Sequence, residues 1–185
     1  RNRYDSATYK AKLKKYGIRV VYAMESIPEG PEGILLESVL EGSAEYYSAN
    51  LSQNIRRGMH ENALECKVNN GAMPLGLMKG ADGRYTIEPA GATVVRDIFE
   101  MYAAGSNVIQ IITALNARGL KTSTGGRWNK NSLHRILRNE KYVGIYNWGG
   151  VRIEGGIPAI LSKELFNEVQ ERMKKVARAP GASRT

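Results

Sequence analysis

Between Arg118 and Lys141 the chain carries seven Lys or Arg residues and one acid, Glu140. The stretch reads Lys121-Thr-Ser-Thr-Gly-Gly-Arg127-Trp-Asn-Lys-Asn-Ser-Leu-His-Arg-Ile-Leu-Arg138-Asn-Glu-Lys-Tyr142. Side chains of these types suit recognition more than bond making. A guanidinium can bond two acceptors at once, an Asn amide pairs one donor with one acceptor, and Lys or Ser can hold an anionic oxygen. Asn129 or Asn131 can cap a helix over 132–139, with Leu133, Ile136 and Leu137 as its buried stripe. The opposite face then shows Lys130, Asn131, His134, Arg135 and Arg138, and Thr122–Gly126 before it reads as a flexible polar turn. The candidate binding set is Lys121, Thr122, Ser123, Arg127, Asn129, Lys130, Asn131, Ser132, His134, Arg135 and Arg138, joined upstream by Arg56 and Arg57. Charged faces of small helices are often simply solvated, and Trp128 suits a core anchor under the turn. No His/Cys/Glu set has metal-ligand spacing, and no cofactor is expected.

A short helix of this kind needs a scaffold, and the rest of the second half reads as one. Pro74, Gly76 and Leu77 start a strand, and Asp82-Gly83 between Leu77-Met78 and Tyr85-Thr-Ile87 signals a hairpin. Helix 89–104 follows, with Val94, Val95, Ile98, Phe99 and Tyr102 on one side, and Gly105 closes it. Asn107 caps the next helix, which runs to Arg118 through Ile109, Ile112 and Leu115 and stops at Gly119. A hairpin of 143–146 and 151–153 around Trp148-Gly149-Gly150 comes next, then a helix capped by Ser162 with Leu165, Phe166, Val169 and Met173.

The first half is organised differently. Residues 4–16 read as a helix closed by Gly17, and residues 18–24 as a buried strand, which is half of an α/β repeat. From Glu32 to Val68 apolar residues recur mostly four apart, at Leu35, Val39, Tyr47, Leu51, Ile55, Met59, Ala63 and Cys66. Pro31 suits the first turn of such a helix. Some 35 residues at 1.5 Å rise make a rod of roughly 50 Å. Its stripe drifts around the axis, so no single flat core can bury it throughout. Gly42 or Gly58 could instead divide it into two helices. Cys66 reads as a small packing residue inside that helix, and Asn69–Gly76 as a linker.

Composition narrows the partners. Net charge is +9, and it is unevenly held: residues 1–99 carry 13 basic against 12 acidic residues, while residues 100–185 carry 14 against 6. That asymmetry points to a polyanion, with nucleic acid first and an anionic membrane surface second. No apolar run of 18 residues exists, so no membrane span and a cytoplasmic location are expected. One cysteine excludes an internal disulfide.

Arg1-Asn-Arg-Tyr-Asp-Ser, the helix after it, Gly17-Ile-Arg-Val, and Ala44-Glu-Tyr-Tyr-Ser ahead of Arg56-Arg-Gly-Met resemble the second half of a serine recombinase catalytic domain. The basic segment with Tyr142-Val-Gly-Ile-Tyr-Asn-Trp-Gly-Gly resembles the recombinase domain that follows it in the large serine recombinases of phages and mobile elements. The resemblance implies an enzyme that cuts and religates DNA through serine–phosphodiester links. It makes Arg1 the match to the second arginine of an Asp-Arg-x-x-Arg motif around the scissile phosphate. It also implies a long helix through which subunits pair and whose far end crosses DNA. Positions where many members carry Arg and Glu-Arg in that helix hold Ser48, Gln53 and Asn54 here, so no catalytic role is assigned to it.

The expected architecture is an α/β fragment with a long helix, then a mainly helical α+β DNA-binding domain with helix-turn-helix-like and hairpin elements. Residues 1–68 would be the partial catalytic domain ending in helix 32–68, 69–76 the linker, 77–175 the recombinase domain and 176–185 a tail. The expected partners are double-stranded DNA at attachment-type sites and further copies of the chain, as homodimer or homotetramer through helix 32–68. The nucleophilic serine is expected upstream of Arg1, which would leave the fragment inactive alone. Two readings from other classes are a helix-turn-helix regulator without catalysis and a basic scaffold protein without sequence preference.

Overall fold

A computed structural model describes residues 3–18, 20, 21, 27, 28 and 30–178. The chain divides into two compact units, Arg1–Gly58 and Met59–Thr185.

The first unit contains helix α1, Arg3–Lys15, and most of helix α2, Pro31–Leu64. Gly17 ends α1 at φ +71°, with the Ile18 N–H returning to Leu13 O and the Gly17 N–H to Lys14 O. Those two bonds satisfy carbonyls that the last turn leaves open. Lys10 of α1 bridges Glu37 and Glu41 of α2, which are one turn apart. Of the expected strand 18–24 only Ile18, Val20 and Val21 are described. None of the three is in a strand, and all are exposed; the remainder lies outside the described residues. Leu35, Val39, Tyr47, Leu51 and Ile55 of α2 are exposed as well.

Helix α2 is continuous through Gly42 and Gly58, but it stops at Leu64 rather than Val68. Its end is a reversal, in which the Lys67 N–H reaches Asn62 O and the Cys66 N–H reaches Ala63 O. Cys66 sits there at φ +56°, the only described non-glycine residue with positive φ, so it is a helix stop and not a helical packing residue. Lys67 and Val68, expected in the helix, and Asn69, expected to open the linker, then join the second unit. The Val68 N–H bonds Gly83 O, Lys67 bridges Arg84, and the buried Asn69 donates to Met59 O at 2.8 Å. Ala63 is fully buried in the same core.

The second unit holds strands β1, Leu77–Lys79, and β2, Tyr85–Ile87; helices α3, Pro89–Ala103, α4, Val108–Ala117, and α5, Lys130–Leu137; strands β3, Ile145–Trp148, and β4, Val151–Glu154; and helix α6, Lys163–Arg178. The strands form two separate antiparallel hairpins, with Leu77 opposite Ile87 and Trp148 opposite Val151. Val143, expected to open a strand, lies instead in a 3-10 turn over Glu140–Val143, and Gly144 at φ +87° releases the chain into β3. Helix α6 extends to Arg178, so residues expected as tail complete a helix. No described helix is long and apolar enough to cross a membrane.

The core is one cluster. Phe99 of α3 stacks on Phe166 of α6 at 5.9 Å and meets Tyr142 edge-on at 6.3 Å, while Tyr85 and Tyr146 join the two hairpins edge-on at 6.1 Å. Such aromatic geometries add to the burial of apolar area. Helix α3 is started by Glu88, whose carboxylate accepts from the Ala90 and Gly91 N–H groups. At this point the first hairpin meets α3 backbone to backbone: Glu88 N–H donates to Gly76 O at 2.9 Å, and a Cβ on Gly91 would lie 2.6 Å from the Gly76 nitrogen. Only glycine permits that approach. We expect Gly91→Ala to cost about 1–3 kcal/mol by overpacking, read as a lower urea midpoint. Gly58→Ala, where an added Cβ meets nothing within 4 Å, should not lower it.

Candidate nucleic-acid interface

Helix α5 is built from both ends. At its start Asn129 Oδ1 accepts from the Ser132 N–H at 2.9 Å, and Ser132 Oγ accepts from the Asn129 N–H at 2.9 Å. This reciprocal pair satisfies two donors that a helix start leaves open. It also begins the helix two residues before the expected Ser132. At the other end Gln170 of α6 donates to Leu137 O at 2.6 Å. Leu133, Ile136 and Leu137 are buried, and the helix packs against α3, α4 and α6.

The segment between α4 and α5 is fixed as well. Thr122 N–H donates to Gly126 O at 3.0 Å, Gly125 N–H to Thr122 O at 2.9 Å, and Gly126 N–H to the Thr122 hydroxyl at 3.1 Å. The expected flexible turn is therefore closed on itself. Asn116 of α4 then clamps its exit, donating to Trp128 O at 3.1 Å and accepting from Trp128 N–H at 3.0 Å. The Trp128 ring is buried under the turn, with its indole nitrogen unpartnered. Neither Asn116 nor Gln170 was legible as a site residue, because each acts on a segment 12 or 33 positions away.

These supports divide the candidate residues into two kinds. Thr122, Asn129 and Ser132 spend their side chains on the turn and the helix start. Lys121, Ser123, Arg127, Lys130, Asn131, Arg135 and Arg138 are exposed, and none of these cations has an ion pair among the described residues. His134 is half-buried, with Nδ1 enclosed and unpartnered, so Nε2 is the nitrogen at the surface. Arg56 and Arg57 are exposed on α2 within the first unit. Arg1 lies outside the described residues. Some cations elsewhere are paired, Arg118 with Asp97, Arg152 with Glu140, Lys163 with Glu154 and Lys174 with Glu171, while Arg96, Lys141 and Arg172 bond neutral oxygens. Hydrogen bonds from Arg152 and Lys163 hold the Glu140 and Glu154 carboxyls below their ordinary range.

Residues 89–176 match a family model described as Recombinase. Among curated protein sequences none matches the chain. Seven chains of solved structures match. One is a crystal structure of an LSR–DNA complex, 21% identical with a TM-score of 0.56, covering 68% of this chain and 41% of that one. Another comes from work on the sequence requirements of the Listeria innocua prophage attP site, 19% identical with a TM-score of 0.57, covering 69% of this chain and 54% of that one. The chain thus shares their fold while matching about half of their length.

Beside α5, burial pushes the Tyr142 phenol well above its ordinary value of 10.0, against the pull of Asn139 and Arg135. Tyr146 is raised in the same direction, first by burial and then by Tyr85. A raised acid binds its proton more tightly in the fold than in the unfolded chain. The stability it contributes is whole below pH 10 and is lost as pH rises beyond that value. Alkaline titration of unfolding, followed by circular dichroism, should show this decline. Tyr142→Phe should remove most of it.

Proposed function

We propose, from the match of residues 89–176 to the Recombinase family model, that the chain is the DNA-binding part of a site-specific serine recombinase. The parent enzyme would integrate, excise or invert DNA through a serine–phosphodiester intermediate. The phosphorane formed by serine attack needs positive charge, which arginines can supply. Arg1 is the candidate for one of them. The two structural relatives, named for an LSR–DNA complex and an attP site, support DNA as the partner of this chain.

One observation carries the reading: five exposed cations, Lys121, Arg127, Lys130, Arg135 and Arg138, are gathered on α5 and its flanks without an ion pair among the described residues. Helices α4 and α5 then act as a helix-turn-helix, with α5 in the major groove. Asn131 offers its amide to adenine and Arg138 its guanidinium to guanine, while Lys121, Arg127 and Lys130 meet phosphates. Mobility-shift titrations on a site selected from a randomised duplex pool test this. Asn131→Ala and Arg138→Ala should each cost about 1–3 kcal/mol and relax base preference. Unchanged affinity and preference in both would reject the assignment.

We infer a second role for α2. Its exposed Leu35 and Val39, and further along Leu51 and Ile55, form a winding apolar stripe of the kind that drives association, here with another copy of the chain as homodimer or homotetramer. Light scattering over a concentration series should show mass rising with concentration, and Leu51→Asp should abolish the rise. A monomer at every concentration would remove this role.

A further inference from the structure

A cleft of about 150 Å³ opens beside α5, and its walls come from four separate segments of the second unit. Pro74 and Leu75 line it from the approach to β1, Ser123 from the turn, Arg135 from α5, and Asn139 with Tyr142 from the 3-10 turn after it. Neither Lys130, Asn131 nor Arg138 lines it, so Arg135 stands apart from the residues whose faces suit base edges.

The lining fits one chemistry. Arg135 brings a cation without an ion pair, and no carboxylate lines the cleft to oppose it. The Ser123 hydroxyl is exposed and unshared, and the Met73 and Leu75 N–H groups have no hydrogen-bond partner among the described residues. Tyr142 is only 1% exposed, so no aromatic face is offered on which a base could stack. Arg135 and Tyr142 line the cleft together. A cation, a hydroxyl and spare amide donors around a small concavity are the donor set for a phosphate group.

We propose that this cleft is a socket for one phosphodiester of the DNA backbone, with Arg135 as its cation and Ser123 as a hydroxyl donor. Arg135 then fixes the depth and register of α5 in the groove and reads no base. The proposal rests on the DNA-binding reading of α5, and it assigns that helix one backbone anchor.

The test uses the whole chain with two probes, a random-sequence duplex and the duplex selected from a randomised pool by the unsubstituted chain. Arg135→Ala should weaken binding to both by the same factor. It should also make the slope of log affinity against log salt shallower by about 0.9, the value of one phosphate contact. Base preference after reselection should stay unchanged. Arg135→Lys should keep the slope, and Ser123→Glu, which places a carboxylate at the rim of the cleft, should weaken both duplexes equally. If the unsubstituted chain binds but Arg135→Ala changes preference at one base with the slope intact, Arg135 reads a base and the socket is wrong. If neither Arg135→Ala nor Ser123→Glu alters affinity or slope, the cleft holds no phosphate. Failure of the unsubstituted chain to bind either duplex overturns the DNA reading as a whole.

Discussion

Eight residues do not hold a helix in water, because nucleation costs more than so few hydrogen bonds return. Helix α5 exists because its surroundings hold it. Asn129 and Ser132 satisfy its first donors, Gln170 meets the carbonyl of Leu137, and Leu133, Ile136 and Leu137 enter a core shared with α3, α4 and α6. The Asn116 amide adds a fixed point one residue before the cap. What this leaves outward is a short, rigid row of side chains with no internal obligations. A longer helix could have formed on its own propensity. This one is specified almost wholly by its neighbours.

The same division governs the electrostatics. Exposed ion pairs contribute little to stability, commonly below about 1 kcal/mol. Arg118–Asp97 and Arg152–Glu140 therefore matter less for holding the fold than for what they remove, since a paired arginine has little left for a polyanion. Lys121, Arg127, Lys130, Arg135 and Arg138 are left with their charges uncompensated, and mutual repulsion is the cost of holding them together.

Much of this was legible in the sequence for plain reasons. The stripes of α3 and α5, the Asp82-Gly83 hairpin and the Asn107 cap follow from periodicity and local capping, which act within a few residues. The misplaced features depend on distant partners. The repeat in α2 continues through Cys66, yet the helix stops at Leu64, and the Cys66 side chain packs where a Cβ on Gly156 would lie 2.5 Å from its sulfur. No local signal announces a cysteine in the left-handed region. Asn69 looked like the start of a linker because it opens Asn-Asn-Gly, but its bond to Met59 O and that of Val68 N–H to Gly83 O draw this segment into the domain. The cleft beside α5 was hidden for the same reason, as its lining residues span Ala72 to Tyr142.

Helix α6 has an implication for how the domain matures during synthesis. Its Phe166 stacks on Phe99, its Gln170 closes α5, and its Arg172 donates to Ala103 O and Gly105 O while lying over the Tyr102 ring at 5.2 Å. Each of these contacts reaches back to residues translated 33 to 70 positions earlier. Until residues 163–178 emerge from the ribosome, the carbonyl ends of α3 and α5 stay open and the apolar side of α3 stays wet. The cationic row of α5 is thus synthesised before α6 but becomes rigid only when α6 arrives, so a nascent chain interrupted between them carries the charges without the shape.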